Sequence, residues 1–176
     1  PRIGKFNKDG TPNPVKGHNL PFVVIGTFIL FFGWFGFNPG STLAATDLRI
    51  SIIAVNTFLA GVAGAIVALY WTFARTGKMD IIAGCNGSLV GLVAITAPCA
   101  YVPPWAAVII GATAAPVMFF FSHLVERVMK IDDAVGAVPV HLGGGIWGIL
   151  MVGVFADGTY GGVQGLITGN VGQLLL

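Results

Sequence analysis

The charged residues of this 176-residue chain are bunched, which leaves long uncharged stretches at 17–46, 50–74, 81–125, 134–156 and 158–176. A transmembrane helix needs about 20 mostly apolar residues. The 81–125 stretch is long enough for two, and Tyr101-Val102-Pro103-Pro104 divides it where proline breaks a helix. Charged residues make up 9% of the chain, against roughly 25% in soluble domains. The sequence therefore predicts an all-α, polytopic transmembrane helix bundle.

We expect five spans, at about 19–38, 50–74, 81–100, 105–128 and 135–156. Residues from 169 onward resemble the start of a sixth span that is cut short. The chain begins with Pro rather than Met and stops inside an apolar stretch, so we expect it to be a piece of a longer protein. The 26 glycines fit a tightly packed bundle, because small residues collect where membrane helices touch.

The distribution of Lys and Arg predicts the orientation of these spans in the membrane. If loop 1–18 is cytoplasmic, the loops at 75–80 and 129–134 are cytoplasmic too. These loops and the flanking Arg127 then hold eight of the nine basic residues, and only Arg49 lies outside. Because positive charges favour the cytoplasmic side, this orientation is strongly preferred over its inverse.

His141 is the most informative single residue, because it is an ionisable side chain inside the fifth expected span. If that span begins near Asp133, His141 lies about eight residues in, roughly 12 Å deep in a core about 30 Å thick. An ionisable group near the middle of the membrane marks a pathway or a proton relay, unless it only hydrogen-bonds a neighbouring helix. Neutral imidazole both donates and accepts hydrogen bonds, which suits a pathway. His18 and His123 lie in a loop and near a helix end, where a histidine is ordinary.

The segment GWFGFNPGST at 33–42 gathers aromatic and hydroxyl side chains at the expected outer end of the first span. Trp34, Phe35 and Phe37 stand beside Asn38 and Ser41. Such rings belong either to an interfacial aromatic belt or to a pore mouth that attracts a small cation. Cation–π attraction is worth roughly 0.5–2 kcal/mol. The residues alone leave both interpretations open.

Four stretches together resemble the Amt/Mep/Rh family of ammonium transporters, in its Amt branch. They are GHNLPFVVIGTFILFFGWFGFNPGS (17–41), NGSLVGLVAITAPCAYVPPWAAVIIG (86–111), KIDDAVGAVPVH (130–141) and GGIWGILMVGVFADG (144–158). They occur in the order and spacing of that family and cover essentially the whole chain. The resemblance implies the ammonium-transporter fold, from about the sixth to the tenth span with the start of the eleventh.

The resemblance also assigns roles to individual residues. His141 matches the second of two histidines in a narrow hydrophobic pore, and Phe37 matches one of two stacked phenylalanines that gate the outer mouth. Ser41 matches a hydroxyl that helps to hold ammonium in the external vestibule, and Trp34 is assigned to the pore wall. Asp133 matches an acidic residue at the start of the tenth span, where we expect a helix cap and not a substrate ligand. The opposite pore wall matches the first half of the family, so we do not expect this chain to conduct alone.

The implied function is conduction of ammonium or ammonia, with methylammonium as an analogue, by a multi-pass protein of the plasma membrane that is not an enzyme. Family members form homotrimers with one pore per subunit, and many bind a PII-type signalling protein, which here would meet the loops at 1–18, 75–80 and 129–134. No metal or organic cofactor is indicated. The alternatives are an ammonium sensor (a transceptor) with the same fold and a channel for another small neutral solute. An intramembrane enzyme built on Asp132 and Asp133 is disfavoured, because these aspartates lie at a membrane interface beside Lys130.

Overall fold

Helices form nearly all the regular structure in the computed structural model, which describes residues 1–170 and 172. Within these residues there are two isolated bridges, Phe6–Pro12 and Asp157–Gln164, and no strand. The five α-helices are α1 Leu20–Phe37, α2 Arg49–Thr76, α3 Ile81–Thr96, α4 Pro104–His123 and α5 Gly144–Phe155. Single turns of 3₁₀-helix (Pro39–Thr42 and Leu166–Thr168) and of π-helix (Leu124–Val128 and Pro139–Gly143) flank them. The predicted all-α class is confirmed.

Local sequence signals set several of the helix ends. Asn19 caps α1 by accepting a hydrogen bond from the Phe22 amide at 3.1 Å. Asp80 caps α3 through the amides of Ile82 and Ala83. α2 ends at Gly77, whose φ of +71° is in the left-handed region that favours glycine. Pro104 occupies the first turn of α4, where its missing N–H costs nothing.

Three helical segments, Leu20–Thr42, Arg49–Thr76 and Pro104–Val128, are long and apolar enough to cross a membrane, and Ile81–Thr96 and Pro139–Phe155 are shorter apolar helices. α3 ends before the expected residue 100, because Pro98 has no amide hydrogen to continue the helix. The last helical segment begins at 137 and not at 135, since Gly136 has a φ of +77°. Most of the truncated sixth span expected from 169 lies outside the described residues.

α3 is the central helix and contacts each of the other four. Its small residues let the backbones of its neighbours approach closely. A Cβ added to Gly91 or to Gly111 of α4 would strike the carbonyl oxygen of Ala60 in α2, and one added to Gly64 would strike the carbonyl of Gly87. Fully buried aliphatic side chains complete this core; the largest are Leu92, Ile95, Ile110 and Val90.

One end of the bundle, here called the basic end, carries loop 1–18, the α2–α3 connection 77–80 and the segment 124–133. Arg2 forms a 2.7 Å ion pair with Asp132, and the nearly buried Lys5 Nζ lies 2.8 Å from Glu126 Oε1. Hydrogen bonds from the Arg2 side chain and backbone lower the pKa of Asp132 to about 2. Loop 1–18 is therefore fastened to the chain that follows α4.

Candidate functional site

The last turns of α1 carry Trp34 and Phe37, two of the residues predicted to line the pathway. Their rings meet edge to face, with centroids 5.9 Å apart. The Trp34 indole N–H donates a 3.0 Å hydrogen bond to Thr96 Oγ1 on α3, which fixes the orientation of the ring. Phe37 is 59% exposed and makes no such polar contact through its ring. The pair therefore consists of one ring that a hydrogen bond anchors and one ring that is more than half exposed.

Ser41 lies one turn beyond Phe37, in the 3₁₀ turn Pro39–Thr42. Its hydroxyl donates a 2.5 Å hydrogen bond to the Phe37 carbonyl oxygen. The side chain is exposed, so the lone pairs of Oγ remain available to accept from a donor outside. An ammonium ion is a donor of that kind.

A buried amide fixes this end of α1 to α2. Asn38 is 4% exposed and donates from Nδ2 to Thr57 Oγ1 at 3.1 Å. The Thr57 hydroxyl in turn donates to the Ile53 carbonyl at 2.7 Å. The Asn38 Oδ1 atom is buried and has no donor among the described residues. This bond holds in place the turn that carries Phe37 and Ser41.

His141 lies in the π-helical turn Pro139–Gly143, directly before α5. Its side chain is exposed, whereas its neighbours Pro139 and Val140 are buried against the bundle. π-turns inside helices are rare and often occur at functional sites. Because the helix begins at 137, His141 is four residues in, about 6 Å along the axis, and not the eight residues that the sequence suggested.

Asp133 accepts hydrogen bonds from three successive amides, those of Gly136, Ala137 and Val138, at 3.1, 3.0 and 2.8 Å. These amides open the helical segment that contains His141. Asn86 of α3 adds a 3.1 Å hydrogen bond to the Val135 carbonyl, which ties the same turn to the bundle core. The carboxylate of Asp133 is thereby committed to backbone amides.

Comparison with known proteins identifies the family of this chain. The family model described as Ammonium Transporter Family matches the chain over residues 1–176. The chain belongs to this family. Its relatives include the ammonium transporter Amt2 of Archaeoglobus fulgidus, which is 53% identical over 183 residues covering 100% of this chain and 39% of that protein. Ammonium transporter 1 member 1 of Solanum lycopersicum is 39% identical, over 99% of this chain and 40% of that protein.

Solved structures of the ammonium transporter family have the same fold. A protein described as a sensor Amt protein superposes with a TM-score of 0.88 at 36% identity, over 99% of this chain and 43% of that one. Candida albicans Mep2 gives a TM-score of 0.81 at 34% identity, over 91% of this chain and 37% of that one. The chain thus spans about two-fifths of the length of its relatives. Family and helices together identify a multi-pass membrane protein.

In this member of the ammonium transporter family, Trp34, Phe37 and Ser41 lie together at one end of α1, and His141 lies on a separate helical segment. The residues that hold this end of α1 in place were not among the predicted ones. Thr96 accepts the hydrogen bond of Trp34, and Thr57 accepts that of the neighbouring Asn38. The sequence did contain a signal for these contacts, because a hydroxyl side chain within an apolar span tends to hydrogen-bond to a neighbouring helix. No group of three or more His, Cys, Asp or Glu side chains that could hold a metal ion occurs among the described residues.

Proposed function

We propose that the protein containing this chain conducts ammonium across the plasma membrane, with this chain supplying one wall of the pathway. The observation that carries the proposal is the ammonium transporter family match over all 176 residues. The exposed Phe37, Ser41 and His141 support it, because these side chains face away from the bundle that the chain builds for itself.

The outer end of α1 is suited to recruiting a small cation. The lone pairs of Ser41 accept N–H bonds, and the Trp34 and Phe37 rings offer negative π faces. Trp34 is held by Thr96, so its ring is ordered before a cation arrives. A cation here gains hydrogen bonds and cation–π attraction in place of part of its water shell.

Beyond this mouth the cation has to give its proton to water in the outer vestibule, because a bare charge in an apolar conduit is prohibitively costly. Neutral ammonia then passes Phe37 and is hydrogen-bonded by His141, which we propose lies at the midplane of the assembled pore. Imidazole can donate to ammonia or accept from it without carrying a net charge. Asp133 acts indirectly, by capping the helical segment that presents His141.

The opposite wall of this pathway comes from protein outside this chain, as the chain spans only about two-fifths of its relatives. We further propose a homotrimer with one pathway per subunit. The basic end, with loops 1–18, 75–80 and 129–134, would then face the cytoplasm and offer the surface for a PII-type signalling protein. The charge distribution supports this orientation, because eight of the nine basic residues lie in or beside these loops.

The test uses the complete reading frame, expressed in cells that lack their own ammonium transporters. We expect saturable methylammonium uptake that ammonium competes, and loss of that uptake in His141→Ala. His18→Ala is the matched control, since His18 lies exposed in the loop before α1 and should leave uptake unchanged. Unchanged flux and selectivity in His141→Ala would remove this residue from the mechanism.

A sensor is the second candidate, because a similar structure belongs to a protein described as a sensor Amt protein. A complete, membrane-inserted protein that binds ammonium without uptake would favour the sensor. Uptake of another small neutral solute without competition by ammonium would favour a different channel specificity.

A further inference from the structure

The helical segment 137–155 packs one face on the bundle and leaves the other face exposed. Val140, Gly144 and Gly148 belong to the buried face. The exposed face carries His141 and four aliphatic side chains that are 44–67% exposed, namely Leu142, Ile146, Ile149 and Leu150. Gly145 lies among these residues and has no side chain. The exposed face is therefore bulky except at Gly145.

Close packing accounts for the neighbouring glycines but not for Gly145. A Cβ added to Gly144 would strike Val90, and one added to Gly148 would strike the Ala94 carbonyl. A Cβ added to Gly145 would meet nothing within 4 Å among the described residues. Glycine weakens a helix interior relative to alanine, because its backbone has more conformational freedom to lose. Contacts within this chain give no reason for a glycine at this position.

Gly145 lies one turn after His141, about 6 Å further along the helix axis. Residues four apart share a helix face, and helical side chains lean toward the N-terminus of their helix. A side chain at residue 145 would therefore lie over His141. The segment runs from its Asp133 cap at the basic end toward the opposite end of the bundle, where α1 places Phe37. The uncovered side of His141 thus faces the end that carries Phe37.

We propose that Gly145 determines the size of the substrate that reaches His141, by leaving the side of the imidazole toward Phe37 uncovered. This inference rests on the proposed function, in which ammonia arrives from the Phe37 end. A hydrogen bond to the imidazole requires the substrate nitrogen to approach within about 3 Å of the ring nitrogen. A side chain at residue 145 would occupy part of that approach. It would exclude an amine that carries a methyl group before it excluded ammonia.

The test compares Gly145→Ala and Gly145→Val with the unmodified protein, each as the complete reading frame in cells that lack their own ammonium transporters. Uptake of isotopically labelled ammonium and of labelled methylammonium is measured for each protein. We expect Gly145→Ala to reduce methylammonium uptake about tenfold more than ammonium uptake, the scale on which one carbon atom changes discrimination in an apolar pocket. Gly145→Val should abolish the uptake of both.

Thermal unfolding in detergent distinguishes this role from a packing role. If the space over Gly145 is open in the complete protein, Gly145→Ala should unfold at the same or a slightly higher temperature, because alanine favours a helix more than glycine does. A lower unfolding temperature would mean that a helix from outside this chain packs on Gly145, and it would overturn the proposal.

The matched control is the same pair of substitutions at Gly17, which also has nothing within 4 Å of an added Cβ but lies in the loop before α1. These variants should take up both substrates as the unmodified protein does. Normal uptake of both substrates by Gly145→Val would overturn the role of Gly145 and leave the proposed function intact. Equal loss of the two substrates in Gly145→Ala would overturn the size selection. Absence of uptake by the unmodified protein would overturn the proposed function and this inference with it.

Discussion

The α2–α3–α4 core and α1 are both strongly apolar, yet the core helices pack closely on one another and α1 stays exposed. In the core, Gly91 and Gly111 pack against the backbone of Ala60, with no room for a side chain between the helices. α1 has no buried residue, and Phe28 and Phe32 are 70% and 80% exposed. In a membrane, hydrophobicity therefore does not reveal which faces meet other helices. Small residues reveal it better, because close backbone approach drives association there.

This contrast distinguishes helix contacts that are made within the chain from apolar faces that remain exposed. The core is closed by contacts within the chain. The exposed face of α1, together with exposed His141 and Phe37, is free for lipid or for protein outside this chain. The following changes, made in the complete reading frame, test where that division runs.

The largest effect is expected for Gly91→Leu compared with Gly33→Leu. A Cβ at residue 91 meets the Ala60 carbonyl oxygen, whereas one at residue 33 meets nothing within 4 Å. Overpacking costs roughly 1–3 kcal/mol when side chains can yield, and more when the obstacle is backbone. We expect no folded Gly91→Leu protein in size-exclusion chromatography, and a normal Gly33→Leu peak. Equal loss in both would mean that protein outside this chain packs on α1 as closely as the core packs on α3.

A smaller effect is expected for Asn56→Leu. Asn56 is fully buried and donates to the carbonyls of Cys99 and Val102 at 2.9 and 2.8 Å, which ties the α3–α4 turn to α2. Its loss leaves two buried carbonyls unsatisfied, at a cost of about 2–4 kcal/mol in unfolding free energy.

The matched change at α1 is Asn38→Leu, which removes one hydrogen bond to a hydroxyl that still has its own acceptor. It should cost at most about 1 kcal/mol. Denaturant titration in detergent measures both variants. If Asn38→Leu proved as costly as Asn56→Leu, the end of α1 would be held as firmly as the core.

Asp133→Ala should loosen the segment that carries His141 without unfolding the bundle. Loss of a helix cap costs about 1 kcal/mol, so the amides of Gly136, Ala137 and Val138 should exchange hydrogen roughly fivefold faster. Asp133→Asn should retain most of the protection, because an amide oxygen also caps. Asp80→Ala is the comparison for the core helix α3, because Asp80 caps that helix through the amides of Ile82 and Ala83. Unchanged exchange in Asp133→Ala would show that packing, and not the cap, orders this turn.

The smallest effect concerns loop 1–18 and depends on pH. Because Arg2 lowers the pKa of Asp132 to about 2, below the usual carboxyl value near 4, the ion pair stabilises the docked loop fully above pH 4. That contribution is lost as the pH falls from about 4 towards 2. Pepsin cleavage near Phe6 should therefore accelerate over this range relative to Asp132→Asn at each pH. A constant ratio between the two proteins would contradict the role of this ion pair.

Much of the fold was predictable because its signals are local. The 81–125 stretch was expected to divide at Pro103 and Pro104, and α4 begins at Pro104. Two helix bounds differ from the expected ones, and each depends on a single backbone feature. These are Pro98 after α3 and the positive φ of Gly136 before α5. Neither moved a helix to a different place along the chain.

The candidate site was predictable only as a set of residues. The motif around 33–42 placed Trp34, Phe37 and Ser41 near one another, because they lie at the end of α1 and in the 3₁₀ turn that follows it. The partner of Trp34 is Thr96, 62 residues away, and the partner of Lys5 is Glu126, 121 residues away. Such pairs depend on how helices dock, and no local pattern encodes them.

The close contact of α2, α3 and α4 also bears on how the protein is made. These helices are consecutive, so every backbone contact among Ala60, Gly64, Gly87, Gly91 and Gly111 joins segments synthesised within seconds of one another. The core can assemble in the bilayer as soon as α4 leaves the ribosome, without waiting for α5. It then serves as a preassembled block on which later-arriving segments dock.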